Sequence, residues 1–301
     1  MIELKNEKIA IPVVLFAGLI WSFGPLVVRY MHEPQLFPWQ YIFSRGLTIF
    51  IVLNLYLFFE EGFSFYKNYF KIGMSGIIGG CGLGIAMVTF IYSITNTSAA
   101  VTLLCLAAMP FFTALLGFLF LKEKISLNVW IAIFIATIGI IIIAFGNTEK
   151  NSFIGFVFGM TSSIGFSVFS ISLRWRKETP KFTTVALSGL FCVVFSSIFI
   201  LSNELSFFSS SYNGAMFSLH GTLVCVGLIL YSIGSKAIPA AELTLLSLTE
   251  VIGGIFWVWL PLFGINEIPT NNTIIGGFFL SMSIIYYSLT IKTNRRFIAL
   301  N

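Results

Sequence analysis

The sequence predicts an all-α integral membrane protein, ten transmembrane helices arranged as an inverted five-plus-five repeat. Three observations carry this. Apolar residues make up 57% of the 301 residues and charged residues only 10%, where a soluble domain runs near about 25% charged. The few charges fall in short stretches between long apolar runs. The chain also repeats itself at a constant offset. With 34 Phe and no Asp, a soluble fold of this size could not cover its own surface. Most soluble enzymes, nucleic-acid binders and disulfide scaffolds are thereby excluded. The formal charge of +5 does not signal nucleic acid, because the basic residues sit in loops.

A bilayer core needs about 20 apolar residues as a helix. Span 1 (10–30) follows the polar start Glu3, Lys5, Glu7, Lys8 and stops at Arg29 and His32. Span 2 (38–58) runs from Pro38 to the loop holding Lys67 and Lys71; span 3 (70–92) follows that loop. Span 4 (97–119) stops at Lys122, Glu123 and Lys124, and span 5 (126–146) stops before Lys150. Span 6 (153–174) ends in the basic run Arg174 to Lys181. Spans 7 (182–202) and 8 (213–235) follow, the latter closed by Lys236. Spans 9 (239–262) and 10 (272–291) flank Glu267. The runs are continuous and too long for transmembrane strands. Cys81, Cys105, Cys192 and Cys225 fall inside apolar runs without C-x-x-C spacing and read as small apolar filler, so neither a disulfide nor a metal site is expected. No cleavable signal peptide is expected.

Ten spans put both termini on one side. With that side cytoplasmic, the inside carries Lys5, Lys8, Lys67, Lys71, Lys122, Lys124, Arg174, Arg176, Lys177, Lys181, Lys236, Lys292, Arg295 and Arg296, and the outside only Arg29 and Lys150. The positive-inside rule therefore predicts cytoplasmic termini and a cell (inner) membrane location. Trp39 on one side, and Trp130 and Trp175 on the other, suit interfacial anchoring.

At an offset of 141, Gly18, Ser22 and Gly24 fall on Gly159, Ser163 and Gly165, and Ala99-Ala100 on Ala240-Ala241. At 144, Glu123 falls on Glu267 and Asn128 on Asn272. Five spans per unit is odd, so the halves, 1–147 and 148–301, insert in opposite senses. Inverted repeats are the architecture of secondary transporters, with the substrate site near the midplane.

The stretch S-A-A-V-T-L-L-C-L-A-A-M-P-F-F-T-A-L-L-G-F-L-F-L-K-E-K (98–124) resembles the fourth helix and following loop of the drug/metabolite transporter superfamily, EamA type. I-P-A-A-E-L-T-L-L-S-L-T-E-V-I-G-G-I-F-W-V-W-L (238–260) resembles its repeat. W-S-F-G (21–24) and the pattern Pro34, Pro38, Arg45 are also similar. The resemblance covers essentially the whole chain and implies a ten-helix transporter. Two departures are visible: Glu250-Val251 stands where the family has Glu-Pro, and the stretch Leu262 to Glu267 is longer than the family's L-G-E.

Glu250 lies mid-span, where an ionised carboxylate costs roughly 2.5–3.5 kcal/mol. It reads as a cation ligand or proton-coupling group, or as a structural Glu bonded to a neighbouring helix. Ser247, Gly254 and Trp257 share its face, and Ile252, Phe256 and Trp259 lie opposite. Arg45 either binds a substrate carboxylate, pairs with Glu250, or snorkels outward to tie helices together. The aromatics Trp21, Tyr92, Trp257 and Tyr231 could cage a cation or simply pack; Trp21 and Trp257 lie closest to mid-span. Ser163, Ser167 and Ser170 form a stripe that lines a path or marks close packing. Gly76, Gly80 and Gly84 read as a packing face. Pro25 and Pro110 should kink spans 1 and 4. His32 and His220 read as peripheral.

These features predict a secondary transporter of a small polar organic metabolite, working by alternating access. One acidic and one basic candidate favour a zwitterion or cation: an amino acid, amine, betaine or adenosyl compound. A phosphate ester would need more cations than Arg45. The candidate substrate-binding residues are Glu250, Trp257, Trp21, Tyr92, Ser163 and Arg45. Neither catalytic residues nor a cofactor is expected, since there is no Asp and no central His for a protease or acyltransferase. A channel would need a continuous polar filter and usually oligomeric symmetry. The expected partners are the small-molecule substrate and the lipid bilayer, with no nucleic acid, in a monomer or weak dimer.

Overall fold

A computed structural model describes residues 6–97, 99–123, 125–146, 153–176, 178–265, 268 and 271–298. Among them every regular element is helical. Span 1 is two helices, Glu7–Trp21 and Phe23–Tyr30; span 2 is Pro38–Glu61 and span 3 Gly73–Asn96. Span 4 is Ala99–Leu106 and Met109–Leu116, ending in a wide turn at Gly117–Leu121, and span 5 is Leu127–Gly146. Spans 6, 7 and 8 are Phe153–Trp175, Lys181–Ser202 and Ser211–Gly234. Span 9 is Ala240–Leu246 and Thr249–Trp259, and span 10 is Asn271–Ile298. Eight of these segments are long and apolar enough to cross a membrane, and two shorter apolar helices lie in spans 5 and 10.

The surface of the bundle carries Phe16, Ile51, Leu55, Phe118, Phe120, Phe134, Ile198 and Leu201, all exposed, while serines and threonines such as Ser22, Ser93, Thr102, Ser163, Ser188 and Ser247 are buried. That is the distribution of a multi-pass membrane protein: hydrocarbon faces lipid and hydroxyls are satisfied inside. Phe256 and Trp259, on the face opposite Glu250, are exposed.

The helices pair in a regular way. Span 1 packs on spans 8 and 9, and span 6 on spans 3 and 4. Span 2 packs on spans 7 and 8, and span 7 on spans 2 and 3. Span 4 meets span 9, and span 5 meets span 10. Exchanging each span for the one five places along returns the same neighbours. The expected boundary at 147/148, and Lys150, Lys177 and Glu267, lie outside the described residues.

Glycines set the crossings. A Cβ on Gly46 would lie 2.8 Å from the Gly189 carbonyl oxygen, and one on Gly82 would lie 3.0 Å from that of Gly165. Spans 2 and 7, and spans 3 and 6, therefore touch backbone to backbone. In lipid, where no hydrophobic drive separates helix from solvent, such approach is what dispersion and close packing need. Gly76, Gly80 and Gly84 sit opposite Thr184, Leu187 and Phe191 of span 7, which are spaced to fill one groove. The packing role read from that run is what it does.

Three spans break. Pro25 and Pro110 cannot donate to the carbonyls four residues back, and spans 1 and 4 interrupt at Ser22 and at Ala107-Ala108. Span 9 breaks at Ser247-Leu248, the position equivalent to the span 4 break, without any proline. There Ser247 Oγ donates to the Thr244 carbonyl at 2.8 Å, and Thr249 Oγ1 reaches the Leu246 and Leu15 carbonyls at 3.2 and 3.3 Å. Local hydroxyl-to-backbone bonds of this kind compete with the helix ladder. Span 6, the repeat mate of span 1, is unbroken.

One end of the bundle is tied by charge. Arg174 Nε donates to Glu123 Oε1 at 2.7 Å, and its Nη1 donates to the Ile238 and Ser235 carbonyls at 2.6 and 3.2 Å. Lys181 Nζ donates to Ser235 Oγ at 2.5 Å, and Tyr287 donates to the Glu242 carboxylate. The other end is tied by neutral bonds: Asn213 pairs with both backbone groups of His32, and Tyr30 donates to the Phe263 carbonyl at 2.5 Å.

Gly46→Val drives a branched side chain into Gly189 and Cys192. It is expected to cost about 1–3 kcal/mol and to lower the melting temperature of the detergent-solubilised protein. Gly214→Ala, with nothing within 4 Å of its Cβ, should melt at or slightly above wild type. Identical melting of the two variants would refute the close-crossing account.

Candidate functional site

A cavity of about 60 Å³ lies where the broken spans converge. Trp21 reaches it from the span 1 break, Leu106 and Met109 from either side of the span 4 break, and Glu250 from just beyond the span 9 break. Arg45 of span 2, Phe90 of span 3, Ser162 and Phe166 of span 6, and His220 of span 8 add polar and aromatic groups to the wall, and Val224 of span 8 an apolar one. Positions related by the 141 offset line the same cavity: Trp21 and Ser162, and Met109 and Glu250.

Glu250 sits in the first turn of the half-helix Thr249–Trp259. The break thus brings a helix N-terminus, with its partial positive charge, to mid-membrane beside the carboxylate. Among the described residues this carboxylate makes no hydrogen bond and no ion pair. Arg45 is buried, and its Nε and Nη1 have no hydrogen-bond partner. Its guanidinium lies over the Phe90 ring, 5.3 Å from the centroid. Stacking leaves the edge of the guanidinium plane unused. Arg45 and Glu250 thus line one cavity with opposite charges and no direct bond between them. Among the described residues Arg45 makes no ion pair with Glu250, and its side chain is buried.

Trp21 is held by its indole N–H, which donates to the Val224 carbonyl at 3.1 Å, and by edge-on packing against Phe166. Gly227 leaves the space the indole occupies. The other sequence candidates lie elsewhere. Trp257 donates to Ser22 Oγ at 2.8 Å and stacks on Phe23 at 4.6 Å, covering the span 1 break instead of bordering the cavity. Its position seven residues after Glu250 shares a helical stripe with it, yet lies two turns further along the axis. Tyr92 packs with Trp39 and Phe158 near the end of span 3. Ser163 donates to the Cys105 carbonyl, and Ser167 of the same stripe donates to the Met109 carbonyl at 3.2 Å. The stripe clamps span 4 across its break.

His220 is the residue the sequence reading undervalued. It is the tenth residue of a 24-residue helix, about as deep as Arg45 in span 2, and it borders the cavity. The legible signal was the adjacent Gly221, against which the Arg45 backbone packs; a Cβ there would lie 3.1 Å from the Arg45 carbonyl oxygen.

Residues 8–145 match the model of the EamA-like transporter family. Two curated relatives, each named an uncharacterized transporter, come from Helicobacter pylori strains J99 / ATCC 700824 and ATCC 700392 / 26695. Each is 27% identical to this chain over 164 residues, 54% of this chain and 52% of the relative. The match thus spans about half the length of the curated relatives. A solved crystal structure superposes with a TM-score of 0.73 at 15% identity, over 96% of this chain and 99% of that one. That likeness extends the fold, and the fold alone, across both halves.

Ser163→Ala should leave the Cys105 carbonyl without its cross-helix donor inside the bundle. The Ala108 N–H still donates to that carbonyl at 3.1 Å, so the expected cost is that of one hydrogen bond, about 0.5–1.5 kcal/mol, read as a lower melting temperature. Unchanged melting would assign Ser163 to the pathway instead of the clamp.

Proposed function

We propose that this chain is a secondary carrier of the EamA type. It moves a small zwitterionic or cationic metabolite, such as an amino acid, amine or betaine, across the cell membrane by alternating access. The observation that supports this is the unpaired Arg45 and the unpaired Glu250 facing one mid-membrane cavity. A buried Arg45 and a half-buried Glu250 held apart inside the bundle are costly; a solute carrying both signs would satisfy both. A phosphate ester fits less well, because Arg45 is the one strong cation among the residues lining the cavity. Nothing in this reading calls for an enzymatic step.

The cavity volume of about 60 Å³ holds a few waters and is smaller than such a solute. Substrate entry therefore requires the spans to part at one end. The charged tie around Arg174 and the neutral tie around Asn213 are the contacts that would open in turn. In this reading residues 1–147 and 148–301 are the two inverted units, and both termini are cytoplasmic in the bacterial inner membrane. Single cysteines at Ser64 and Ser209 should then label from opposite sides, Ser64 from within. Labelling of both from one side refutes the topology.

Uptake by the reconstituted protein should saturate with substrate. Glu250→Gln keeps the shape and removes the charge. Charge-assisted bonds are about twice as strong as neutral ones, and about 1.4 kcal/mol is tenfold. Affinity for a cationic head group should fall about tenfold or more while melting temperature stays near wild type. A Gln variant that transports normally with unchanged affinity would overturn the role given to Glu250.

A further inference from the structure

We infer that His220, held in one tautomer by Tyr41, is a substrate-binding residue: its Nε2–H and the Arg45 guanidinium form a two-donor seat for a carboxylate. This rests on the carrier reading above and adds the group that the cationic end of the cavity selects. Tyr41 is fully buried and stacks on Phe217, with ring centroids 4.6 Å apart. Its hydroxyl meets Nδ1 of His220, its one partner among the described residues. A buried hydroxyl that does not donate strands its proton. Tyr41 therefore donates to Nδ1, and the ring proton of neutral His220 sits on Nε2.

Nε2 is left as a donor by its surroundings. It lies over Gly24, where a Cβ would approach to 2.8 Å, just past the span 1 break. Any side chain at position 24 would cover it. Phe90 lies against both partners, 5.3 Å from the Arg45 guanidinium carbon and 6.2 Å from the His220 ring centroid. Gly221, next to His220, packs against the Arg45 backbone, and both side chains border the same cavity. Two donors side by side, one charged, match the two oxygens of a carboxylate. Glu250 is left for the ammonium end. The remaining wall, including Leu83, Met87, Leu106, Met109 and Val224, is apolar and suits an uncharged side chain. The class selected is an amino acid with an apolar side chain, in preference to the amine that lacks its carboxylate.

The test is equilibrium binding to the full-length protein in detergent, by calorimetry. The probes are leucine, methionine and phenylalanine, and the matching amines isoamylamine, 3-(methylthio)propylamine and phenethylamine. Wild type should bind at least one amino acid and prefer it over its amine by tenfold or more. His220→Leu should weaken amino-acid binding about ten- to a hundredfold and leave amine binding unchanged. His220→Gln, which can restore a donor near Nε2, should recover most of the loss. Gly24→Ala keeps the histidine and covers its edge, so it should weaken binding as His220→Leu does, and it supplies the result if the leucine variant fails to fold. Amines bound as tightly as amino acids, or a selectivity unmoved in both His220→Leu and Gly24→Ala, would overturn the carboxylate seat and leave the carrier reading standing. A wild type that binds none of the six probes but transports another solute overturns the seat alone; a wild type that transports nothing overturns both.

Discussion

Within a bilayer, no water is at hand for a backbone group released from its helix, so each must find a partner inside the protein. That constraint organises this molecule. Spans 1, 4 and 9 are each interrupted near mid-length, which releases carbonyls at the depth where an orphaned group costs most. Span 6 ties the two pieces of span 4 together with Ser163 and Ser167, which donate to the Cys105 and Met109 carbonyls on either side of its break. Span 9 answers for itself with Ser247 and Thr249, and Trp257 closes over Ser22 at the span 1 break. Among the described residues, the buried guanidinium nitrogens Nε and Nη1 of Arg45 stay without a partner, and they belong to a side chain that borders the cavity.

The same economy explains which charges are there. Glu250 follows a break and so gains a helix N-terminus. Arg45 has no such support beyond an aromatic face. Its position is fixed by backbone contact: Gly221 of span 8 lies against its own main chain, and Gly46 next to it lies against Gly189 of span 7. Small residues on both sides of span 2 clamp the segment bearing the guanidinium. A rigid mount for a group without hydrogen-bond partners concentrates cost where a ligand can repay it.

Much of this was legible in the sequence, for physical reasons. Bilayer thickness fixes helix length, so apolar runs located the spans to within a few residues. Proline removes a donor wherever it stands, so the breaks in spans 1 and 4 could be foreseen. A charged residue inside an apolar run is costly anywhere, so Arg45 and Glu250 stood out. The span 9 break could not be read, because serine and threonine interrupt a helix only when their hydroxyls turn to the backbone. Trp257, Tyr92 and Ser163 were candidates by type and depth; which neighbour each met depended on helix crossings that a linear pattern does not encode. His220 was misjudged because its depth was measured from a loop edge, and span 8 begins two residues earlier than hydropathy suggested.

A proline break and a hydroxyl break differ in what the backbone lacks. Pro25 and Pro110 have no proton to give, so the ladder of spans 1 and 4 is permanently short of a rung. In span 9 each amide is intact, and the hydroxyls of Ser247 and Thr249 take up the Thr244 and Leu246 carbonyls that the backbone leaves free. Spans 1 and 4 are thus broken by a proton that is missing, and span 9 by hydroxyls that stand in for one.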